Sequence, residues 1–273
     1  MPKQTEQTEP TTGLKFFELS HPWVHNQPTL PGYDELIMFR SVNHAKHGVM
    51  SQKFKTVMHT STHVNAPIHL VQGGKGCGEI DLDRFWGSGV VLSVPKVKWE
   101  SVTAKDLNRF KSAVKPDDIV LINTGWHHKY ADSQEYFGHA PGLAESAARW
   151  LADKQVKLVG VDTPQVDHPL ATSLGPHRNG PTMKRLPAEY KTETGREALD
   201  DYPDWFPAHK LLLGAGIPTI ENVGGDLDTL SGKRSTFHAY PWRWNVGDAC
   251  VIRLMGICDP SGQYRIEPGT NNA

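Results

Sequence analysis

Cysteine is scarce in this 273-residue chain: Cys77, Cys250 and Cys258 are the only three, and no two form a CxxC pair. An odd number without that spacing argues against a disulfide framework and predicts free, buried thiols in a reducing cytosol. Long apolar runs are missing too. Stretches such as GVVLSV are strand-sized and far short of a membrane span. The opening MPKQTEQTEPTTG has no apolar core, so it is no secretory signal, and residues 1–14 are expected to be a disordered tail. Neither sign of charge is in excess: 29 Lys and Arg stand against 30 Asp and Glu. No nucleic-acid partner and no membrane surface are therefore expected. No repeat and no Pro/Gly/Ser linker divides the rest, which reads as one cytoplasmic domain over residues 15–273.

What the chain does have is short β-branched runs alternating with helical spacing. Gly87 to Val94 (GSGVVLSV) and Asp118 to Asn123 (DIVLIN) read as buried strands. Leu143, Ala147, Trp150 and Leu151 recur at helical spacing, which predicts a helix over 142–154; KLVGV at 157–161 is then a strand. Strand, helix, strand in this order predicts an α/β fold. HKLLL, from His209, reads as a helix that stops at Gly214 or Gly216, followed by a strand over 217–221. GDACVIRLMGI reads as one final strand. Pro181 to Pro203 shows no core periodicity and predicts an exposed insertion or a loop over a site.

Histidine is the residue most unevenly placed. HTSTHVNAPIH, from His59 to His69, holds three of the 14 histidines in eleven residues. Neutral imidazole is a common ligand for zinc and similar ions. In a regular strand His59 and His63 would sit about 13 Å apart, too far for metal–nitrogen bonds of about 2.1 Å. Thr60, Thr62 and Val64 disfavour a long helix, and Pro67 ends one. The spacing therefore predicts a tight turn that converges His59, His63 and Asn65. Of further ligands, His209 and Glu221 are the attractive pair, because the chain leaves on a helix and returns on a strand.

These residues resemble a known family, the metal-dependent cyclase-like hydrolases, which include bacterial kynurenine formamidase and isatin hydrolase. HTSTHVNAPIH resembles its HxGTHxDxPxH signature. FFELSHPW resembles its opening strand and turn, and LPGYDE the proline–glycine segment that follows. VGVDTPQVD resembles its G-I-D-T-x-S-V-D segment, and FPAHKLLL…IPTIENV its H-x-x-L-L…I-x-E-N-L. LDTLSGKRSTFHAYPWRW fits its closing region. The resemblance covers roughly residues 16 to 260.

The resemblance implies a swivelling β/β/α domain around a mixed sheet, assembled as a homodimer or homotetramer. It implies that His59, His63 and Asn65 hold a zinc or manganese ion, and that Asn65, His209 and Glu221 hold a second one in binuclear members. The implied activity is hydrolysis of an amide or lactam C–N bond in a small cyclic or aromatic molecule, by water that the metal activates. His69 would be the acid/base, taking a proton and returning it to the leaving nitrogen. A lactonase is the nearest rival; a lyase or isomerase, or a non-catalytic ligand-binding homologue, is more distant.

Three departures matter. Ser61 stands where the signature has glycine, which is tolerable if its backbone angle suits a side chain. Asn65 replaces a carboxylate that can bridge two ions; a neutral amide oxygen is a poorer ligand, so one ion is favoured over two. Leu30 stands where some formamidases carry a substrate-facing Trp, which argues against N-formylkynurenine. Trp126, Gln165 and His168, with Leu30, are the candidate substrate contacts; His127 and His128 beside Trp126 share the strand edge where α/β sheets place ligands. Asp162 is as suited to capping a turn. Trp242, Arg243 and Trp244 read as core or oligomer contacts, with Arg243 able to hold a carboxylate.

Overall fold

The computed structural model describes residues 7–172, 182–264 and 266. Ten strands form one mixed sheet: β1 (Gln7–Thr8), β2 (Lys15–Glu18), β3 (His63–Asn65), β4 (Trp86–Ser93), β5 (Ile119–Asn123), β6 (Leu158–Val161), β7 (Thr219–Glu221), β8 (Arg234–His238), β9 (Ala249–Val251) and β10 (Met255–Cys258). Their order across the sheet is β1-β2-β10-β8-β4-β5-β6-β7-β3-β9. The central four, β4 to β7, run parallel, and the flanks on either side are antiparallel. This is an α/β single-domain fold on a mixed sheet.

Both faces of the centre are covered, which is why its strands are apolar throughout. Val91, Ile119 and Leu121 face one core with Phe17 and Phe237. Val90, Leu92, Val120 and Ile122 face the other, against helices α1 (Glu145–Asp153) and α3 (Pro207–Gly214). All three cysteines are free and buried.

The structure corrects four expectations. Residues 7–14 are not a loose tail: β1 pairs with β2, and Glu9 accepts from the amides of Thr11 and Thr12 to hold the intervening turn; residues 1–6 lie outside the described residues. The final strand is two. β9 lies at one edge of the sheet beside β3, whereas β10 lies between β2 and β8, so Ile252–Leu254 carry the chain across. Residues 182–203 contain helix α2 (Leu186–Thr194), whose Leu186 and Tyr190, one turn apart, pack on Trp99, Tyr136 and Phe137; residue 181 lies outside the described residues. Trp242 and Trp244 are exposed and therefore not core.

Candidate active site

The site is built on β3, which lies between β7 and β9. Strand alternation turns His63 and Asn65 to one face and Val64 to the other, into the core with Ile220 and Cys250. The antiparallel register sets Glu221 opposite His63 and Thr219 opposite Asn65. Opposed residues on one face have Cβ atoms about 5 Å apart. The pairing itself brings an imidazole to a carboxylate, and His63 Nε2 lies 3.1 Å from Glu221 Oε2.

That contact is the informative one. His63 Nδ1 lies 2.9 Å from the Ser61 carbonyl oxygen, so Nδ1 carries the proton and Nε2 keeps a lone pair. The lone pair faces the Glu221 carboxylate without an aligned hydrogen bond, and the buried Asn65 Oδ1 has no partner among the described residues either. His209 completes the wall: its Nε2 meets Thr219 Oγ1 at 2.7 Å, and its Nδ1 turns to Glu221 Oε1 at 3.9 Å. Electron-pair donors turned on one another in a dry wall are stabilised by a cation between them. The residues present therefore fit a divalent metal ion. Glu221 Oε1 is held in place by the Val166 amide, which donates to it at 2.9 Å.

The rim hangs on turns. Ser61 has φ 53°, in the left-handed region, so the signature's glycine position does require a conformation that costs a side chain. Its hydroxyl donates to the His21 carbonyl at 3.3 Å. Thr62 Oγ1 donates to the Asn222 carbonyl at 2.6 Å and accepts from the His21 amide at 2.9 Å. The reversal folds His59 back, its ring 5.4 Å from that of His63 and 4.2 Å from that of His69. His69 comes over the same opening on the short helical turn Pro67–His69. Burial, with His59 and His209 near, drives His69 down to about 3, so the ring is neutral at pH 7.

Sequence reasoning missed two carboxylates. Asp248 precedes β9, whose register sets Ala249 opposite Asn65. Its Oδ2 lies 2.8 Å from His59 Nε2 and 4.0 Å from His69 Nδ1, and the three side chains offer ligand atoms within 4.8 Å of one another. The His59 contact above all holds Asp248 down at about 2. Asp167 caps α3, accepting from the Ala208 and His209 amides at 2.8 and 3.1 Å, and so fixes where His209 begins its helix. It stands in the quoted VGVDTPQVD, where its role as a helix cap was legible only once α3 was placed beside it.

Between wall and rim lies a cavity of about 170 Å³. An engineered cavity of about 150 Å³ holds benzene, so this one has room for a single small ring. Leu30, Tyr33, Phe137, Trp205 and Phe206 give it apolar walls, and Gln165 brings a buried Oε1 that has no hydrogen-bond partner among the described residues. Two candidate contacts fall elsewhere. Trp126 is buried in the core with its indole N–H donated to the Tyr136 carbonyl, so it does not face substrate. His168 is buried with both nitrogens paired, to the Trp99 carbonyl and the Leu170 amide. Asp162 caps the turn after β5, accepting from Thr124 and His127.

Known proteins resemble this chain in sequence and in fold. Kynurenine formamidase of Bacillus cereus (strain ATCC 14579) is 28% identical over 154 residues, covering 56% of this chain and 70% of that protein. Isatin hydrolase A from Labrenzia aggregata, bound to benzyl benzoate, superposes with TM-score 0.70 at 21% identity, covering 90% of this chain and 94% of that one. A protein described as a predicted metal-dependent hydrolase from Bacillus stearothermophilus superposes with TM-score 0.64 at 23% identity, covering 89% and 98%. The Cyclase family itself matches residues 17–168. A match that runs from the opening strand, through the histidine turn, to His168 takes in more than half of the chain, and this protein belongs to the Cyclase family.

Proposed function

We propose that the protein is a metal-dependent hydrolase that opens an amide or lactam C–N bond of a small cyclic or aromatic substrate. The observation that carries this reading is the His63 Nε2 lone pair facing the Glu221 carboxylate at 3.1 Å. When bound there, a zinc or manganese ion lowers the pKa of a water molecule and polarises a carbonyl. His63, His209, Glu221 and Asn65 would hold it. His69, neutral and 5.6 Å ring to ring from His209, takes the proton from water and returns it to the leaving nitrogen. Asp248, 4.0 Å from His69 Nδ1, steadies the imidazolium in between. The apolar cavity walls seat one ring. The unpaired Gln165 oxygen is an acceptor for a substrate N–H, which an amide or lactam has and a lactone lacks. A site built to hydrogen-bond an N–H discriminates strongly against the analogue without it.

One ion remains favoured over two. Asn65 is neutral, and the Asp248 carboxylate is half exposed and already engaged by His59. Assembly as a homodimer or homotetramer belongs to the same proposal; Ile37, Phe39, Phe54 and Trp242 are large apolar side chains left exposed. The test is metal analysis of the purified protein, joined to a screen of cyclic and aryl amides, lactams, formamides and lactones. Stoichiometric metal and turnover of N–H substrates above lactones are expected. A fully loaded protein that turns over no amide would overturn the reading. Asn65→Asp should raise the ion count at the cavity wall from one to two; two ions already held at the cavity wall of the parent at full occupancy would refute the single-ion reading.

A further inference from the structure

The geometry points to a second metal site, formed by His127, His128 and Asp228, outside the cavity. None of the three lines the cavity, and the inference stands apart from the hydrolase reading. Helix α4 (Leu227–Leu230) presents Asp228, while His127 and His128 lie on the short helical turn that follows β5. Their three ligand atoms lie within 4.8 Å of one another. Asp228 Oδ2 is 2.8 Å from His128 Nε2 and 3.6 Å from His127 Nε2. The other carboxylate oxygen, Oδ1, accepts from Asn123 Nδ2 at 2.8 Å and is thereby oriented.

Three surface-seeking side chains would not by themselves make a site. His127 is different, because only 5% of its side chain is exposed. Its Nδ1 lies 3.0 Å from Oδ2 of Asp162, a carboxylate with no exposure at all. That contact places the proton on Nδ1 and leaves Nε2 with its lone pair. Among the described residues the buried Nε2 has no hydrogen-bond partner, and what it faces is another acceptor, Asp228. A buried carboxylate behind an imidazole whose far nitrogen is bare is the support that metal-ligating histidines normally have. Ligands bonded at about 2.1 Å to one ion stand about 3–4 Å apart, which the exposed His128 and Asp228 reach by small side-chain rotations.

Two imidazoles and one carboxylate select a borderline d-block dication such as zinc over calcium or magnesium. The fourth position opens to water. A bound ion would pin the β5 turn to α4. The same turn carries Tyr130, which stacks on His21 at 3.7 Å, and His21 bonds to Thr62 in the histidine turn.

The test is a zinc titration of the full chain against a chromophoric chelator, with His128→Gln/Asp228→Asn compared to the parent. Both positions are exposed, so the variant should fold; circular dichroism checks this. The parent is expected to bind one equivalent more than the variant, with hydrolysis unchanged between them at saturating zinc. A cobalt-loaded His63→Ala chain should still show the visible absorption of imidazole-ligated cobalt. Equal zinc stoichiometry in parent and variant would overturn the inference, as would a His63→Ala chain that is folded and binds no cobalt.

Discussion

The cavity wall and the loop that ends at His168 each bury a histidine, on opposite terms. His63 has one nitrogen paired and the other bare before a carboxylate. His168 has both nitrogens satisfied by backbone and its ring stacked on Tyr202 at 4.0 Å. Burial is the same; the unpaired nitrogen is what leaves His63 available to a cation and His168 not. The rim adds a third condition. His59 and His69 hang on turns, one fifth or less of each side chain exposed, next to a half-exposed carboxylate. Strand register makes the wall rigid enough to hold charge, whereas the rim can exchange protons with water.

The sharpest break of this comparison is at the rim. His69→Ala should lower turnover by about 10²–10⁴-fold, the range for a lost general acid or base. Metal content and melting temperature should stay within error of the parent, because the wall is untouched. A large drop in melting temperature with turnover intact would make His69 a structural histidine like His168. Asp248→Asn tests the weaker member. A carboxylate that orients a ligating or proton-carrying imidazole is worth about 10–100-fold in metal affinity or activity. Kinetics and chelator competition on this variant should fall in that window; an unchanged protein would leave His59 without need of its partner.

How far the sequence carries this comparison depends on distance along the chain. His59, His63, Asn65 and His69 were legible because one turn and one strand contain them. His209 and Glu221 were legible because a helix and a strand with clear periodicity return to the same place. Asp248 was not: it sits in an ordinary Gly-Asp turn 189 residues from the histidine it meets. Only the pairing of β9 with β3 brings it there, and β9 was itself hidden inside what read as one strand with β10. No glycine or proline marks the crossing at Ile252–Leu254, so periodicity had nothing to register. Trp126 misled for a related reason. Its place at the end of β5 suggested a ligand edge, but its N–H is taken by the Tyr136 carbonyl of the short helix Gln134–Gly138.

A smaller effect comes from the buried, satisfied histidine. Burial holds His168 down at about 3, against 6.5 for a free imidazole. A folded value below the unfolded one means stability is complete above pH 6.5 and is lost as pH falls toward 3. Protonation at Nδ1 would also remove the acceptor for the Leu170 amide. Within that window one such group weakens folding by about 1.4 kcal/mol per pH unit at most. Urea unfolding of the metal-free protein at pH 7.5, 6.0 and 5.0 should show the decline. His168→Gln, which can still donate to Trp99 and accept from Leu170, should start lower and fall less steeply. Equal slopes would remove His168 from the account.

The smallest effect is expected at the residue that joins wall to rim. Ser61 holds φ 53°, and a left-handed conformation costs a side-chain-bearing residue about 1–2 kcal/mol. Glycine would relieve that strain, but it loses more backbone entropy on folding, about 0.5–1 kcal/mol. It would also lose the 3.3 Å hydrogen bond to the His21 carbonyl, long enough to sit at the low end of the usual 0.5–1.5 kcal/mol. The terms nearly cancel, so Ser61→Gly should move the melting temperature little and leave His59 in reach of His63. Ser61→Val is the contrast: a β-branched residue is badly placed at positive φ, and it lacks the hydroxyl. It should destabilise by about 1–3 kcal/mol more than glycine does, and it should cost metal affinity in proportion, because the Ser61 carbonyl that orients His63 through Nδ1 shifts with the turn. If valine were tolerated as well as glycine, the turn would not depend on a left-handed residue, and wall and rim would be joined by something other than the backbone at Ser61.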